Sequence, residues 1–331
     1  MKEQEGKISS GSFYSSARNW SIIRYTPDMR STWDHLVRTS ANGTFLLTRD
    51  YMDYHSDRFS DYSLVVLKDG RPFILLPANL TSDGVLHSHQ GLTYGGWIVP
   101  CRHFDGNDML EVFSLAVDYC RQSGIHAIDY KPIPWIYTRQ PAQDDLYALF
   151  RHNACLTECN LSCTIDLVAN PGFNKLQARH LRKAVGTGAM VGPTEDTDCF
   201  WAMLISCLEE RHEAVPVHTA EEMKRLQKHF PENIRLFTST LYGEMHAGVC
   251  IYDTGLTAHC QYIATTETGR RLGLLTLLMD YLIHDVYSHR RYFDFGTSNE
   301  HAGLTLNHGL LRQKSSLGGS GVVYQRWLIN I

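Results

Sequence analysis

Between Leu256 and Gly319 the chain sets glycine and arginine where a strand hands over to a helix. Thr257–Thr265 reads as a strand, Thr266-Glu267-Thr268-Gly269-Arg270-Arg271-Leu272-Gly273 as a polar loop, and Leu274–Val286 as an apolar helix. A helix start of this kind presents unsatisfied N–H groups and the positive end of the helix dipole. Gly269, Arg270, Arg271, Leu272, Gly273 and Leu274 are therefore expected to grip a phosphate or pyrophosphate. A second strand, Arg291–Phe295, is stopped by Gly296. Tyr262, Asp294, His301 and His308 fall in or just past these two strands and are the groups available for moving protons. Histidine is the side chain best poised to titrate near neutral pH. Asp294 alternates with Phe293 and Phe295, which fits a site carboxylate and equally a structural hydrogen-bond acceptor. Lys314 and Arg312 add cations beyond the next turn, as site charges or as solvated surface groups.

The first half holds a different set. Tyr51, Tyr54, His55, Asp57 and Arg58 precede a strand, while His87, His89 and the stretch Gly91-Leu92-Thr93-Tyr94-Gly95-Gly96 follow one. Aromatic and imidazole groups about a glycine-bearing loop suit a sugar or peptide acceptor, with Tyr54, His55, His89 and Tyr94 as contacts. The same residues also read as a hydrogen-bonded core cluster beside a tight turn. Lys175, Arg179, His180, Arg182 and Lys183 make one helix basic, either as a solvated face or, through Arg182 and Lys183, as contacts for an acidic group. Cys155, Cys159 and Cys163 are spaced by four but lie in strand-like sequence, and no Cys-x-x-Cys pair occurs, so no metal site is expected. Neither Gly-x-Ser-x-Gly nor a Walker-type loop is present, which disfavours hydrolase and nucleotide triphosphatase chemistry.

These residues need a scaffold of some size. At 331 residues two domains are the prior, and 43% hydrophobic with 20% charged residues is ordinary for a globular enzyme. A formal charge of −4 provides no general drive toward nucleic acid or an anionic membrane. No apolar run approaches a bilayer span, the polar start lacks a secretion-signal core, and nine cysteines point to reduced thiols in the cytoplasm. Residues 1–19 read as a loose tail. From there the elements run: strand 20–25, helix 29–40, hairpin 64–77 about Asp69-Gly70, strand 85–90, helix 109–122, strand 125–130, helix 144–152 and strand 159–167. Helices 174–185, 196–212 and 219–230 follow, the last opened by the capping box Thr219-Ala220-Glu221-Glu222. A hairpin about Tyr242-Gly243 then leads into the stretch described first. Both halves thus show helix, hairpin, strand, glycine-bearing loop, helix, strand, which predicts a duplicated α+β unit.

This order, with Arg270-Arg271-Leu272-Gly273-Leu274-Leu275 between a strand and its helix, resembles the GNAT acyltransferase superfamily, whose acyl-coenzyme A loop is written Arg/Gln-x-x-Gly-x-Gly/Ala. Three further stretches resemble its tandem Fem-type branch: Leu181-Arg182-Lys183-Ala184 before Gly186, Phe293-Asp294-Phe295-Gly296-Thr297-Ser298, and Gly309–Gly319. The resemblance implies an α/β (α+β) fold of two tandem GNAT-like units, each a mixed, mostly antiparallel sheet flanked by helices. It places an acceptor-side unit at 20–168 and a donor-binding unit at 169–331. It further implies an N-acyltransferase that uses acyl-coenzyme A without a metal, by direct attack of an amine on the acyl carbonyl. The acceptor would be an amino sugar, a cell-envelope precursor or an amino acid. Tyr262, Asp294, His301 and Lys314 are then the catalytic candidates, Gly269–Leu274 and Arg312 the donor contacts, and Arg211 and His212 join the acceptor side. An aminoacyl-tRNA donor and a non-catalytic ligand-binding module are the competing readings. The tRNA reading is weakened by the lack of a long charged helical arm.

Overall fold

The structure, a computed structural model, describes residues 19–212 and 216–331, with side chains at 210–215 outside that set. Most of the expected tail, residues 1–18, lies outside it too. In the first half the elements are β1 (Trp20–Arg24), α1 (Arg30–Thr39), α2 (Arg49–Met52), β2 (Leu64–Lys68), β3 (Arg71–Leu76), β4 (Asn79–Leu80), β5 (Val85–His87), α3 (Gly106–Gln122), β6 (Ala127–Tyr130), α4 (Asp144–Arg151) and β7 (Cys155–Asp166). Then come α5 (Lys175–Val185), β8 (Met190–Pro193), α6 (Thr197–His212), α7 (Ala220–His229), β9 (Ile234–Leu241), β10 (Glu244–Asp253), β11 (Thr257–Thr265), α8 (Glu267–Leu272), α9 (Leu274–Tyr281) and β12 (Tyr292–Thr297). The short β13 (Asn299–Glu300) and β14 (Thr305–Leu306), α10 (His308–Ser316) and β15 (Ser320–Asn330) complete it.

Local chemistry accounts for the boundaries. Asp69 and Gly70 both take positive φ, the backbone that a two-residue hairpin turn demands, and Tyr242-Gly243 repeat this between β9 and β10. Thr219 and Glu222 form the capping box that starts α7. A second capping box, Asp105 with Asp108, starts α3 three residues before the expected Met109. Thr266 accepts from the Gly269 amide and caps α8, while Gly273 ends it in the left-handed conformation. The stretch expected as a loop is thus a helical turn, because a threonine cap with glutamate in the first turn favours helix.

One 10-stranded sheet runs through both halves in the order β4-β5-β6-β15-β7-β12-β11-β10-β9-β8, and β1-β2-β3 form a separate sheet. Its middle is reciprocal. The last strand of each half crosses over, so β15 pairs with β6 and β7, and β7 pairs with β12 and β15. Outward from there the halves match: β5 is parallel to β6 over three residue pairs, and β11 is parallel to β12 over three. The duplicated unit read from the sequence is therefore present as a mixed, largely antiparallel sheet flanked by helices. Burial cements the pair. Phe45 and Tyr51 meet Phe230 and Tyr252 at ring-centroid distances of 5.5 to 6.3 Å, inside a core that takes side chains from both halves.

Candidate active site

The two parallel strands β11 and β12 pair only at Thr257–Tyr292, Ala258–Phe293 and His259–Asp294, and then part. Beyond this fork β11 stays with β10, where the register skips one residue and leaves Gln261 unpaired. Such a bulge tilts the strand and re-aims its groups. A cavity of about 600 Å³ opens between the parted strands. Its lining is apolar at Leu204, Leu208, Leu275, Met279, Leu310 and Leu317, and polar at Lys131, Glu158, Asn160, Gln325 and Arg326, on or beside the middle strands of the sheet.

At the fork stands a histidine that the sequence analysis did not select. His259 Nδ1 lies 2.7 Å from Oδ2 of Asp294, which commits that nitrogen and leaves Nε2 for the cavity that the ring lines. Asp294 is fully buried and accepts four more hydrogen bonds, from Ser162 (2.6 Å), Thr164 (2.7 Å), Tyr324 (2.7 Å) and Tyr137 (3.0 Å). Burial by itself would raise this carboxyl. The bonds from His259, Ser162 and Tyr324, with the histidine's charge, outweigh it and hold Asp294 below the usual carboxylate range. A buried anion with five donors is a fixed partner that orients the imidazole.

Lys314, on α10, is buried and donates from Nζ to the carbonyls of Gly296 (2.9 Å) and Thr297 (2.6 Å) just past the fork. Burial brings its ammonium down to about 8, against the pull of Asp294. Tyr262 lines the cavity, and its hydroxyl lies 2.6 Å from His218 Nδ1; burial pushes the phenol up to about 12. Three of the four catalytic candidates, Tyr262, Asp294 and Lys314, therefore converge on one fork. His301 does not: it sits exposed between β13 and β14, bonded to Thr305 at 3.1 Å, because the chain turns outward after Gly296.

The donor-side residues fall differently. Gly273 is buried, and a Cβ there would come within 2.7 Å of the His180 carbonyl, so this glycine lets α8 and α9 approach α5. Gly269 is likewise closed in by the His246 carbonyl at 2.2 Å from a built Cβ. Gly269 and Gly273 thus sit in a packed helix junction, and on this segment the cavity lining begins at Leu275. Arg270 donates to the Thr265 carbonyl at 2.8 Å, beside that wall, and Arg271 is exposed. Arg312 is exposed on α10, with its neighbours Gln313 and Lys314 on the cavity.

Among the acceptor-side candidates, Tyr54, His55 and His89 cluster behind the cavity. The His55 ring lies 4.9 Å from Tyr54 and 6.0 Å from His89, and burial lowers the two histidines to about 4 and about 3. Tyr94 is buried against Tyr137 at 4.8 Å and bonds Thr44, one layer behind Asp294. His55, His89 and Tyr94 are buried in the core, and Tyr54 packs half-buried against it. Arg182 is exposed on α5, away from the cavity lining, and Arg211 and His212 end α6 with side chains outside the described residues. Among the described residues no group of three or more His, Cys, Asp or Glu is placed to hold a metal, and no helix is long and apolar enough to cross a membrane.

Residues 175–302 match the family described as "Acetyltransferase (GNAT) domain". The crystal structure of FemX aligns with 94% of this chain and 97% of its own, at TM-score 0.68 and 12% identity. L-PGS from Bacillus licheniformis aligns over 93% and 92% at TM-score 0.58 and 10% identity. The tandem GNAT protein from the clavulanic acid biosynthesis pathway aligns over 94% and 98% at TM-score 0.51 and 12% identity. At such identities the likeness is one of fold. No curated protein is matched by the sequence. With its GNAT domain in the second half and its reciprocal sheet, the chain is a Fem-like tandem GNAT fold.

Proposed function

We propose that the protein is an N-acyltransferase that moves an acyl group from coenzyme A to an amine. The reading rests on one observation: a forked pair of parallel strands opening on His259–Asp294 and Lys314. The donor's acyl-pantetheine chain lies along the apolar lining, where it removes Leu208, Leu275 and Met279 from water. Its phosphates lie toward Arg270 and Arg271, with the carbonyl at the fork. An acceptor amine lies toward the polar lining residues, which come from both halves. His259 Nε2 takes a proton from the amine as the C–N bond forms, and Asp294 holds the imidazole in the tautomer that accepts it. Backbone N–H groups of β11 beyond the fork and the Lys314 ammonium carry the developing oxyanion. The C–S bond then breaks, and the leaving thiolate takes a proton from the Tyr262 hydroxyl. The phenolate and the imidazolium exchange protons with solvent, so the products are an amide and free coenzyme A. The Cys260 thiol that lines the fork is held by burial well above its ordinary range, and the Tyr262 hydroxyl beside His218 is pushed up to about 12, so neither is an activated nucleophile, which favours direct attack within a ternary complex.

Calorimetry with acetyl-, octanoyl- and free coenzyme A tests the donor. Micromolar binding that weakens in Lys314→Met supports the reading, and no heat with any of the three overturns it. The likeness to FemX keeps an aminoacyl ester as the second donor class. That reading gains if coenzyme A is refused while aminoacyl-tRNA binds with a steep salt dependence.

A further inference from the structure

The two halves treat the same fork in opposite ways. In the first half, β5 and β6 pair at Val85–Ala127, Leu86–Ile128 and His87–Asp129; in the second, β11 and β12 pair at Thr257–Tyr292, Ala258–Phe293 and His259–Asp294. The last pair in each is a histidine opposite an aspartate, with Nδ1 at 2.6 Å from Asp129 Oδ2 and at 2.7 Å from Asp294 Oδ2. A His–Asp pair is thus duplicated at matching positions of the fold. The surroundings differ. Asp294 is caged by hydroxyl groups, while Asp129 is clasped by the Arg326 guanidinium through Nε (2.7 Å) and Nη2.

Two residues past each aspartate the contrast is sharper. In the second half this position is Gly296, with φ +75°, and the strands part around the cavity. In the first half it is Lys131, which stitches the fork shut. Its amide donates to Ser88 Oγ (2.7 Å), its carbonyl accepts from Gly95 (3.1 Å), and its Nζ donates to the Leu92 carbonyl (2.5 Å). The first-half fork is thereby tied together at the point where the second-half fork opens. It turns a cation toward the cavity of the other half instead.

Among the described residues that cation has no ion-pair partner of its own, since the nearby carboxylates are taken. Asp129 is engaged by His87 and Arg326, and Glu158 by Arg326 and Asn160. Burial, and then the charge of Arg326, bring the Lys131 ammonium down to about 8, against the weaker pull of Asp129 and Glu158. An ammonium has three N–H donors, and one of these is spent on Leu92. Lys131, Lys314 and Arg326 line the cavity as cations, against Glu158 as the anion. A largely buried positive charge with spare donors is costly unless a ligand completes it.

We propose that Lys131, held beside the Arg326 clasp of the silent first-half dyad, is the subsite for an anionic group on the acceptor. The acceptor is then an amine that also carries a carboxylate or a phosphate. This rests on the acyltransferase reading for the word acceptor, while the anion subsite is measurable without any donor. Lys131 is a binding residue here: it sets which amine is held, and the fork in the other half does the chemistry.

The experiment uses the full chain without donor and two matched pairs of probes, L-alanine against ethylamine and glucosamine 6-phosphate against glucosamine. Isothermal titration is run on the unaltered protein, on Lys131→Met and on Lys131→Arg. The expected result is at least tenfold tighter binding of one anionic probe than of its neutral partner. That preference is lost in Lys131→Met and kept in Lys131→Arg. Which pair shows it tells carboxylate from phosphate. Equal binding within both pairs, or a preference that survives in Lys131→Met, overturns the proposal. Acetyl-coenzyme A affinity, measured on the same three proteins, is expected to stay within twofold. Its absence from the unaltered protein counts against the acyltransferase reading and leaves the anion comparison intact.

Discussion

The His259 imidazole and the Asp294 carboxylate meet at 2.7 Å on neighbouring parallel strands, at the last residue pair before those strands part. The pair is thereby held by sheet geometry on one side and open to the cavity on the other. Rigid support with an exposed reactive edge is what a general base requires, and positioned bases contribute roughly 10²–10⁴-fold to rate.

Replacing His259 with alanine should accordingly lower kcat for acyl transfer by roughly 10²–10³-fold. Coenzyme A affinity should change little, since the proposed pose sets the ring against the reacting amine and not against the carrier. Steady-state kinetics with calorimetry separate the two, and a kcat within threefold of the unaltered enzyme would assign the base elsewhere.

Asp294→Asn leaves five donors around a group that can accept fewer of them and carries no charge. Breaking a buried charged network by removing one partner typically costs about 3–5 kcal/mol. Urea unfolding should show a loss of that order, and Tyr324→Phe, which removes one donor, a smaller one near 1 kcal/mol.

Lys314 should act as an ammonium, and its pKa of about 8 is set by burial against the opposing pull of Asp294, Cys260 and Cys163. kcat is expected to fall as pH rises through about 8 and the charge is lost. Lys314→Met should remove that limb along with most of the activity. A rate that climbs steadily to pH 10 would instead make Lys314 a structural tether.

Acid stability follows from the buried histidines. His55 is lowered from 6.5 to about 4 by burial, then by the charges of Arg58 and His218. Its folded pKa is thus below its unfolded one, so its contribution is intact above pH 6.5 and is lost as pH falls toward 4. The shift corresponds to a loss on the order of 3 kcal/mol across that window. Thermal melting between pH 7 and 4 should reveal it, and His55→Gln, which has no proton to take up, should flatten the slope.

Gly273→Ala should destabilise by roughly 1–3 kcal/mol, because φ is +80° and the new Cβ would meet the His180 carbonyl at 2.7 Å. Donor affinity of the folded fraction should be unchanged. A selective loss of coenzyme A binding with normal stability would restore this turn as a donor contact.

What the chain determines by itself is local. Apolar spacing, the Asp69-Gly70 and Tyr242-Gly243 turns and the Thr219 capping box reflect chemistry within a few residues, so helices and hairpins were legible, as was their repetition. Asp294 was legible as a polar residue between two phenylalanines, and Lys314 as a cation after a turn. The threonine cap at Thr266 is equally present in the sequence, but Gly269 and Gly273 mask the short helix it starts. His259 was not legible, though His87 and Asp129 offered the signal, as a second histidine in one strand with an aspartate in the next. Only the register of β11 on β12 sets His259 against Asp294, and two strands 35 residues apart carry no mark of their register. The packed state of Gly273, the core places of His55, His89 and Tyr94, and the closing of one fork with the opening of the other were likewise decided in three dimensions. Each depends on which distant backbone comes to lie against it, and that is settled when both halves bury their apolar faces together.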